Sequence, residues 1–311
     1  MTLTERVKRT ALDLGFQAVG VSRVTSDRPE AARLGEWLAR GFHGDMGWMA
    51  KTAAKRKNPA LLLHGIRAIV SLGMNYYTDD RPDDAPGHGR IARYARGEDY
   101  HRVLGARLES LAAFLKAEAP DSRSLAYVDT GAIMEKAWAQ RAGLGWIGKH
   151  SNLVSGRYGS WLLLGEVLTT AELAPDEPGA DLCGTCTLCI KACPTGAIAE
   201  PYVVDARRCL SYLTIERKGA VPPEIQPALG NYVFGCDDCL DVCPYNHRAT
   251  PASEPAFRAT SLTLNPDLDV LAGQSAEAFQ EAFHGSPVRR AGHEGLRRSA
   301  AIAKKNIQRR R

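Results

Sequence analysis

Residues 183–194 read CGTCTLCIKACP and residues 236–244 read CDDCLDVCP, and these two runs together with Cys209 contain all eight cysteines of the chain. A cubane iron–sulfur cluster takes four thiolates, and three cysteines spaced by two residues can wrap three of its corners from one loop. The cysteine that precedes proline points away and serves the neighbouring cluster. The spacing therefore predicts a ferredoxin-like domain that holds two 4Fe–4S clusters and transfers electrons.

The same rule predicts how the cysteines are shared. The first cysteine group consists of Cys183, Cys186, Cys189 and Cys243. The second cysteine group consists of Cys193, Cys209, Cys236 and Cys239. Three alternatives stay open: two zinc sites of four cysteines each, a disulfide framework, and one cluster with spare cysteines. The x2, x2, x3, Pro spacing is less typical of zinc sites, and a reducing compartment disfavours disulfides.

Composition narrows the class of protein. The chain has 311 residues, 44% of them hydrophobic, which is enough for a sizeable core in two or three domains. No apolar run of about 18 residues occurs, and charges interrupt the N-terminal segment early, so we expect neither a membrane span nor an export signal. The sequence therefore predicts a cytoplasmic protein. The net charge is +5, with basic residues concentrated from Arg289 to Arg311.

Hydrophobic periodicity and turn residues predict an α+β chain of three regions. We predict domains at 1–173, 174–250 and 251–311, because the composition changes near residues 174–179 and the chain turns helical after Pro251. The predicted helices are Leu3–Leu14, Arg102–Glu118 and Ala132–Arg141. The predicted strands are Gln17–Val24, Ala68–Leu72 and Trp161–Leu168. Residues 77–90 are rich in Asp, Pro and Gly, which predicts a surface loop.

Two short motifs are similar to known cofactor-binding motifs, one for dinucleotides and one for cobalamin. Residues 143–148 read GLGWIG and match the dinucleotide-binding fingerprint, but a predicted helix rather than a strand precedes them. We expect these glycines to end the helix and to permit a close backbone approach. Residues 99–101 read DYH, similar to the loop whose histidine ligates cobalt in some cobalamin enzymes. Leu104 and Gly105 depart from that pattern, so the sequence does not support cobalt ligation by His101.

Several longer stretches resemble one family. Residues 127–131 (YVDTG), 135–149 (EKAWAQRAGLGWIGK), 93–101 (RYARGEDYH), 208–216 (RCLSYLTIE) and 235–239 (GCDDC) are similar to those of epoxyqueuosine reductases. The resemblance runs from about residue 2 to about residue 305 and includes the cysteine pattern. It implies an N-terminal α/β cobalamin-binding domain, a ferredoxin-like domain with two clusters, and a short C-terminal helical region.

The resemblance also implies an activity. Enzymes of this family reduce the epoxide of epoxyqueuosine to queuosine at the wobble position of a tRNA anticodon, as the last step of queuosine biosynthesis. Their cofactors are base-off cobalamin and two 4Fe–4S clusters. We expect a tRNA with a GUN anticodon as substrate, a low-potential electron donor of the ferredoxin or flavodoxin type, no membrane contact, and a monomer.

Asp129 matches the family's proton donor. Donation near neutral pH requires a raised pKa, and we expect burial beside the corrin to raise the pKa of Asp129. The alternative is that Asp129 caps a helix over 132–141. The resemblance implies that the residues lining the cobalamin are Arg56, Tyr94, Asp129, Lys149, Ser151, Asn152, Ser160, Ser211 and Asp237. Each of them could instead be structural.

Basic residues are the candidates for tRNA contact. They are Arg217, Lys218, Arg289, Arg290, Arg297 and Arg298. Clustered cations can meet the phosphates of a nucleic acid, although a solvated surface or tail is the simpler interpretation. Many family members carry a HEAT-like repeat well beyond this length, so we treat 251–311 as a truncated form of it. The basic residues near the C-terminus are then expected to supply part of its RNA contacts.

The sequence leaves two other functions open. One is a corrinoid reductase for a small substrate, with a dehalogenase-like activity. The other is an electron-transfer protein that reactivates a different corrinoid enzyme. The basic C-terminal region favours the tRNA substrate over the first. The roughly 250 residues outside the cluster domain favour a catalytic domain over the second.

Overall fold

The structure is a computed structural model that describes residues 1–83 and 85–310. Arg311, counted above among the basic residues, and Asp84, in the predicted loop, lie outside these ranges. The described residues form an α+β fold, as predicted.

Thirteen α-helices and ten strands occur within the described residues. The helices are α1 Leu3–Asp13, α2 Pro29–Ala39, α3 Gly47–Lys51, α4 Ala53–Lys57, α5 Tyr100–Glu118, α6 Glu135–Arg141, α7 Leu188–Ala192, α8 Leu210–Ile215, α9 Asp238–Asp241, α10 Ser261–Leu264, α11 Leu268–Gly273, α12 Ala276–Ala282 and α13 Gly292–Arg310. The strands are β1 Ala18–Arg23, β2 Ala68–Asn75, β3 Arg90–Ile91, β4 Ser124–Tyr127, β5 Trp146–Ile147, β6 Leu153–Val154, β7 Leu162–Thr169, β8 Ile198–Glu200, β9 Val203–Val204 and β10 Tyr232–Phe234.

A four-stranded antiparallel sheet organises the N-terminal region, with strand order β1-β2-β7-β4. All eight residues of β2 are buried, since helices cover both faces of the sheet. Side chains alternate between the two faces of a strand. One face packs Val70 and Val167 against Leu104 and Leu108 of α5. The other face packs Ile69 and Leu168 against α6 and the segment before it.

The C-terminal helices share a core with both preceding regions. Ile91 of β3 pairs in parallel with β10, and this small sheet packs against Phe279, Leu296 and Ala300 of the C-terminal helices. The three predicted regions are therefore joined through a common hydrophobic core. Their exact boundaries stay a prediction.

The predicted elements mostly match the observed ones. The first predicted helix and all three predicted strands occur with ends that differ from the prediction by at most three residues, and α5 begins two residues before the prediction. The largest difference at a helix start is in α6, which begins at Glu135 rather than at residue 132. Its N-cap is Met134, so Asp129 does not cap this helix.

The GLGWIG segment behaves as the sequence predicted. The helix α6 ends at Arg141, and Gly143 then adopts a φ of 77°, where a Cβ would lie 2.7 Å from the carbonyl oxygen of Glu177. Short strand β5 follows directly. The segment is therefore a helix end with a close backbone approach, and it lacks the strand–turn–helix context of a dinucleotide site.

No helix within 1–83 and 85–310 is both long enough and apolar enough to cross a lipid bilayer.

Candidate active site and cluster-binding region

The structure brings the first cysteine group together around Cys189. Burial raises the pKa of the Cys189 thiol, and the thiols of Cys183, Cys186 and Cys243 raise it further because they lie close enough to interact. Cys243 and Cys183 also pack in one small cluster with the Trp146 indole. The second cysteine run thus contributes one thiol to the group formed mainly by the first run.

The second cysteine group is gathered around Cys239. Burial raises the pKa of the Cys239 thiol most strongly, and the thiols of Cys209 and Cys193 add to this. Cys236 is partly buried and interacts with Cys239 and Cys209. Cys189 of the first group also interacts with Cys239, so the two groups adjoin each other.

Donors from outside the cysteine runs hold these loops in place. Trp146 Nε1–H donates to Cys183 Sγ at 3.4 Å, and the Ala197 N–H donates to Cys193 Sγ at 3.2 Å. Hydrogen bonds to cluster sulfurs influence the reduction potential. In the described part of the chain, no three His, Cys, Asp or Glu residues form a group that could hold a single metal ion.

The Asp129 turn lies at the end of β4 and has an unusual backbone. Asp129 has a φ of 51°, a left-handed conformation that Asp and Asn adopt more readily than most residues. Two residues later, a Cβ at Gly131 would lie 2.6 Å from the Tyr127 ring, so only glycine fits there. The Asp129 N–H donates to Glu135 Oε1 at 2.6 Å. These constraints define the backbone conformation of the Asp129 turn.

His101 bridges two carboxylates at this position. Its Nδ1 lies 2.7 Å from Asp99 Oδ1, and its Nε2 lies 3.3 Å from Asp129 Oδ2. Burial lowers the pKa of His101, but the hydrogen bonds and charges of Asp129 and Asp99 outweigh it and raise the pKa to about 9. His101 is therefore an imidazolium near neutral pH.

The expectation that burial beside a corrin raises the pKa of Asp129 stays a prediction, and the protein's own groups act in the opposite direction. Burial does raise the pKa of Asp129, but the hydrogen bonds from His101 and Tyr100 and the charge of His101 lower it below its usual value. The proton in this carboxylate–imidazole pair thus resides on His101, and Asp129 is ionised.

Asp129 lies at a solvent-open site close to the second cysteine group. The carboxyl side chain of Asp129 is 58% exposed, and Lys136 is also exposed, although protein atoms surround both on most sides. Lys136 interacts with Asp129 and also with the thiols of Cys239 and Cys209. The solvent-open recess beside Asp129 and Lys136, hereafter the Asp129 cavity, therefore lies close to the second cysteine group.

Three residues predicted to line cobalamin are tied into the protein. Lys149 Nζ donates to the carbonyls of Gly184 and Cys186 at 2.6 and 2.8 Å, which braces the first cysteine loop. Buried Arg56 donates to the Ile133 carbonyl at 2.8 Å. Asp237 accepts from the Arg93 N–H at 2.8 Å, and burial raises its pKa to about 6.

Of the other residues predicted to line cobalamin, two lie near the Asp129 cavity and two contact backbone carbonyls. Tyr94 lies close enough to interact with both Asp129 and Asp237. Asn152 Oδ1 accepts from Lys136 Nζ at 2.7 Å, at the edge of the Asp129 cavity. Ser151 Oγ donates to the Tyr202 carbonyl at 2.8 Å, and Ser211 Oγ lies 3.5 Å from the Cys236 carbonyl.

Ser160 lies apart from these contacts. Its N–H donates to Asn246 Oδ1 at 2.5 Å, and the side chain is buried. Its contacts in this structure are therefore structural.

The predicted tRNA-binding arginines differ in how their guanidinium groups are used. Arg298 donates to the carbonyls of Leu213, Arg217 and Gly219 at 2.8 to 2.9 Å, so the geometry does not support a phosphate contact by Arg298. Arg290 forms a bidentate ion pair with Glu216 at 2.9 Å and interacts electrostatically with Asp129. Arg290 is thus the cation of this set that lies near the Asp129 cavity.

The remaining basic residues keep at least part of their surface open. Arg289 donates to Gln280 Oε1 at 2.7 Å, and Arg297 contacts the Ala272 carbonyl and Glu294. Arg217 donates to the Ala220 carbonyl at 2.7 Å, and Lys218 Nζ lies 3.5 Å from the Arg290 carbonyl. Arg289 and Arg297 lie at the start of the C-terminal helical segment, in an ordered surface rather than a frayed tail.

Sequence reasoning missed three residues of this site. His101 was set aside with the cobalt-ligand motif, although its spacing from Asp99 was a usable signal for a carboxylate–imidazole pair. Glu135 begins one of the stretches that resemble the family but had no role assigned to it, and Glu166 belonged to no motif. Their importance appears only because α6 and β7 bring their carboxyl groups together beneath the Asp129 turn.

Two family models match the sequence. The one described as "Epoxyqueuosine reductase QueG, DUF1730" matches residues 56–130. The one described as a 4Fe-4S double cluster binding domain matches residues 182–246 and contains all eight cysteines. The first matched range includes Asp129, and the second includes both cysteine groups.

Relatives match over nearly the full length. An epoxyqueuosine reductase of Synechocystis sp. is 47% identical over 286 residues, which cover 91% of this chain and 98% of the relative. A crystal structure of an epoxyqueuosine reductase with an epoxyqueuosine-modified tRNA-Tyr stem loop has a TM-score of 0.90 and 32% identity, over 98% of this chain and 82% of that one. The Bacillus subtilis enzyme matches with a TM-score of 0.89 and 30% identity, over the same shares. Its structure has the catalytic aspartate loop swung out of the active site.

Proposed function

Because this chain belongs to the epoxyqueuosine reductase family, we propose that it reduces the epoxide of epoxyqueuosine to the alkene of queuosine in tRNA. This reaction takes two electrons and two protons, and the epoxide oxygen leaves as water. The observation that carries the proposal is that the Asp129–His101 pair lies beside Lys136, which also interacts with two thiols of the second cysteine group. Proton supply and electron supply thus meet at one place.

The chain carries a double 4Fe–4S cluster domain. We propose the first cysteine group as the ligands of one cluster and the second cysteine group as the ligands of the other. The mutual proximity of the thiols within each group supports this assignment. The second group interacts with Lys136 of the Asp129 cavity, so its cluster is the one that delivers electrons to the reaction site.

We propose that the Asp129 cavity holds base-off cobalamin, which supplies low-potential electrons when bound. The cavity is open, and Tyr94, Asn152 and Lys136 offer polar groups for the amides of a corrin. Both ring nitrogens of His101 are occupied by Asp99 and Asp129, so His101 is not available as a cobalt ligand. The residues present therefore fit a cobalamin bound without a histidine ligand.

The residues of this chain supply the protons. His101 holds a proton on Nε2 against Asp129 Oδ2, and we propose that this proton passes through Asp129 to the departing oxygen. The Asp99 carboxylate accepts a hydrogen bond from His101 Nδ1, and its negative charge helps to keep the imidazole protonated. A second proton from solvent completes the water molecule.

We propose an anticodon of the GUN type as the part of the tRNA that enters the cavity. Arg290 lies near Asp129, and the surface at Arg217, Lys218, Arg289 and Arg297 offers further cations for phosphates. The electron donor is proposed to be a ferredoxin or flavodoxin type of protein. The protein is proposed to act as a monomer in the cytoplasm, where its tRNA substrate resides.

The direct test is turnover by the reconstituted enzyme. Purified protein is loaded anaerobically with iron, sulfide and cobalamin, and then supplied with a chemical reductant and epoxyqueuosine-containing tRNA. We expect conversion to queuosine that requires both cofactors, and tRNA binding that weakens steeply as salt increases. Absence of turnover with both cofactors bound, or salt-independent binding, would contradict the proposal.

A further inference from the structure

Two glutamates, Glu166 fully buried and Glu135 partly buried, lie beneath the Asp129 turn and have no role in the chemistry described so far. Glu166 is in the middle of β7 and is fully buried. Glu135 is the first residue of α6, and its Oε1 accepts the Asp129 N–H at 2.6 Å. Glu166 faces the α6 side of the sheet, so the two carboxyl groups meet between the helix and the strand.

The pairing of two carboxyl groups has a chemical requirement. Glu135 and Glu166 are within hydrogen-bonding reach of each other, yet neither oxygen of Glu166 receives a hydrogen bond from any described donor. An ionised carboxylate can only accept, so two ionised carboxylates cannot bond to each other. A proton on one of them removes the repulsion and provides the missing donor.

If both glutamates were ionised, no cation among the described residues near Glu166 would neutralise its negative charge. Ser71, paired with Glu166 across β2 and β7, is fully buried and its Oγ has no described partner. The charged groups that act on Glu135 are Lys136 of the same helix, Arg56 of α4 and ionised Asp129. Tyr100 of α5 is the other titratable group near Glu135. Glu166 interacts with Glu135 alone among the charged groups, and burial raises the pKa of both carboxyls.

We propose that Glu135 and Glu166 share one proton and together act as a positioning pair that holds the Asp129 turn in place for proton transfer. Glu166 donates the shared proton to Glu135, and Glu135 in turn accepts the Asp129 N–H. The left-handed backbone of Asp129 needs such an anchor, because this conformation is unfavourable for a residue other than glycine. The inference rests on the proposed function only in taking Asp129 as the acid.

The first experiment compares amide and alanine variants of the cofactor-loaded enzyme. Gln at either position can still accept with its oxygen and donate with its nitrogen, so Glu135→Gln and Glu166→Gln should keep most of the wild-type kcat. Glu135→Ala removes the anchor and should lower kcat by about 10- to 100-fold with little change in KM. Cluster absorbance reports whether each variant is folded, and Glu172→Gln, at a glutamate that is 83% exposed, is the surface control.

The second experiment detects the shared proton directly and uses no substrate. A protonated carboxyl has an infrared carbonyl band that a carboxylate lacks. At about pH 8, above the raised pKa of Asp237 (about 6), the wild type should show this band. The Glu166→Gln variant should lose the band and Glu172→Gln should keep it.

Three results would overturn the inference: no protonated-carboxyl band in the wild type, full kcat in Glu135→Ala, or a loss in Glu135→Gln as large as in Glu135→Ala. The infrared result stands even if the protein does not reduce epoxyqueuosine. Failure of this inference and failure of the proposed function are therefore distinguishable.

Discussion

Asp129 combines a strained backbone with an ionised carboxyl group, and both properties matter for testing it. Alanine would remove the carboxyl but would also strain the left-handed conformation at a φ of 51°, whereas asparagine tolerates this conformation. Asparagine is therefore the informative substitution, because it changes proton transfer without disturbing the turn.

We predict that Asp129→Asn lowers the reduction rate at least about 100-fold, because the amide cannot pass a proton to the departing oxygen. Iron content and cobalamin binding should stay at wild-type levels. Single-turnover reduction of epoxyqueuosine tRNA measures the rate, and Asp121→Asn at an exposed aspartate is the matched control. Wild-type rates in Asp129→Asn would remove Asp129 as the acid.

The charge of His101 depends on two carboxylates, and one of them can be removed without damage to the helix. Asp99 is the N-cap of α5 and accepts the His101 N–H at 3.0 Å. Asparagine is an equally good N-cap, so Asp99→Asn removes a negative charge and keeps the cap. The variant isolates the electrostatic contribution of Asp99.

We predict that wild-type activity falls as the pH rises through the His101 pKa of about 9, since the proton is then lost. Loss of the Asp99 charge lowers the pKa of His101, so in Asp99→Asn this fall should move to lower pH. The pH profile of kcat for both proteins, measured with saturating tRNA, tests the shift. An unchanged alkaline limb would show that His101 does not control it.

At the scale of elements, helix α13 is both a structural helix and a basic surface. Leu296, Ala300 and Ala303 are fully buried on one side, in the core shared with β10. Arg298 extends from this helix to three carbonyls at the end of α8 and beyond it. Arg289 lies in the turn before the helix and makes a single exposed contact. The two arginines therefore have different predicted effects.

We predict that Arg298→Ala costs roughly 2–3 kcal/mol of stability, because charged hydrogen bonds to three carbonyls are lost. The melting temperature should fall by several degrees. Arg289→Ala should leave the melting temperature almost unchanged and should weaken tRNA binding instead. Anaerobic thermal denaturation and a binding titration test the pair, and equal melting temperatures for the two variants would contradict the structural role of Arg298.

At the scale of the molecule, the two cysteine runs cross over. Cys243 belongs to the second run but lies in the first cysteine group, and Cys193 has the reverse relation. This exchange brings the two cysteine groups close together, and the second group interacts with Lys136 of the Asp129 cavity. We therefore expect a short electron path from the first cluster to the proposed reaction site.

We predict that Cys243→Ser and Cys236→Ser damage different clusters, although both lie in the second run. Each variant should lower the iron content from about eight toward about four per chain, because each substitution removes one of the four thiolates from a single cluster. Cys243→Ser should leave the cluster beside the Asp129 cavity, and Cys236→Ser should remove it. Iron analysis with electron paramagnetic resonance of the reduced proteins distinguishes them, and identical residual spectra would contradict the crossed grouping.

The local parts of this protein could be predicted from sequence because their causes are local. Cluster spacing, the apolar periodicity of α1 and α5 and the buried strands β2 and β7 all depend on residues near each other in the chain. The start of α6 was misplaced by three residues because Glu135 turns toward Asp129 and the helix begins only there.

By itself, the sequence determined the α+β class and the double 4Fe–4S cluster domain, and it predicted the crossed grouping of the eight cysteines and Asp129 as the acid. Only the tertiary structure decided the charge of that acid, the protonation of His101, the Glu135–Glu166 pair and the structural use of Arg298. The reason is physical: a pKa and a hydrogen bond depend on which groups meet in space. Asp99 and His101 reach Asp129 from α5, and Glu166 reaches Glu135 from β7. No spacing along the chain encodes these meetings, which arise when α5 and α6 pack on the sheet.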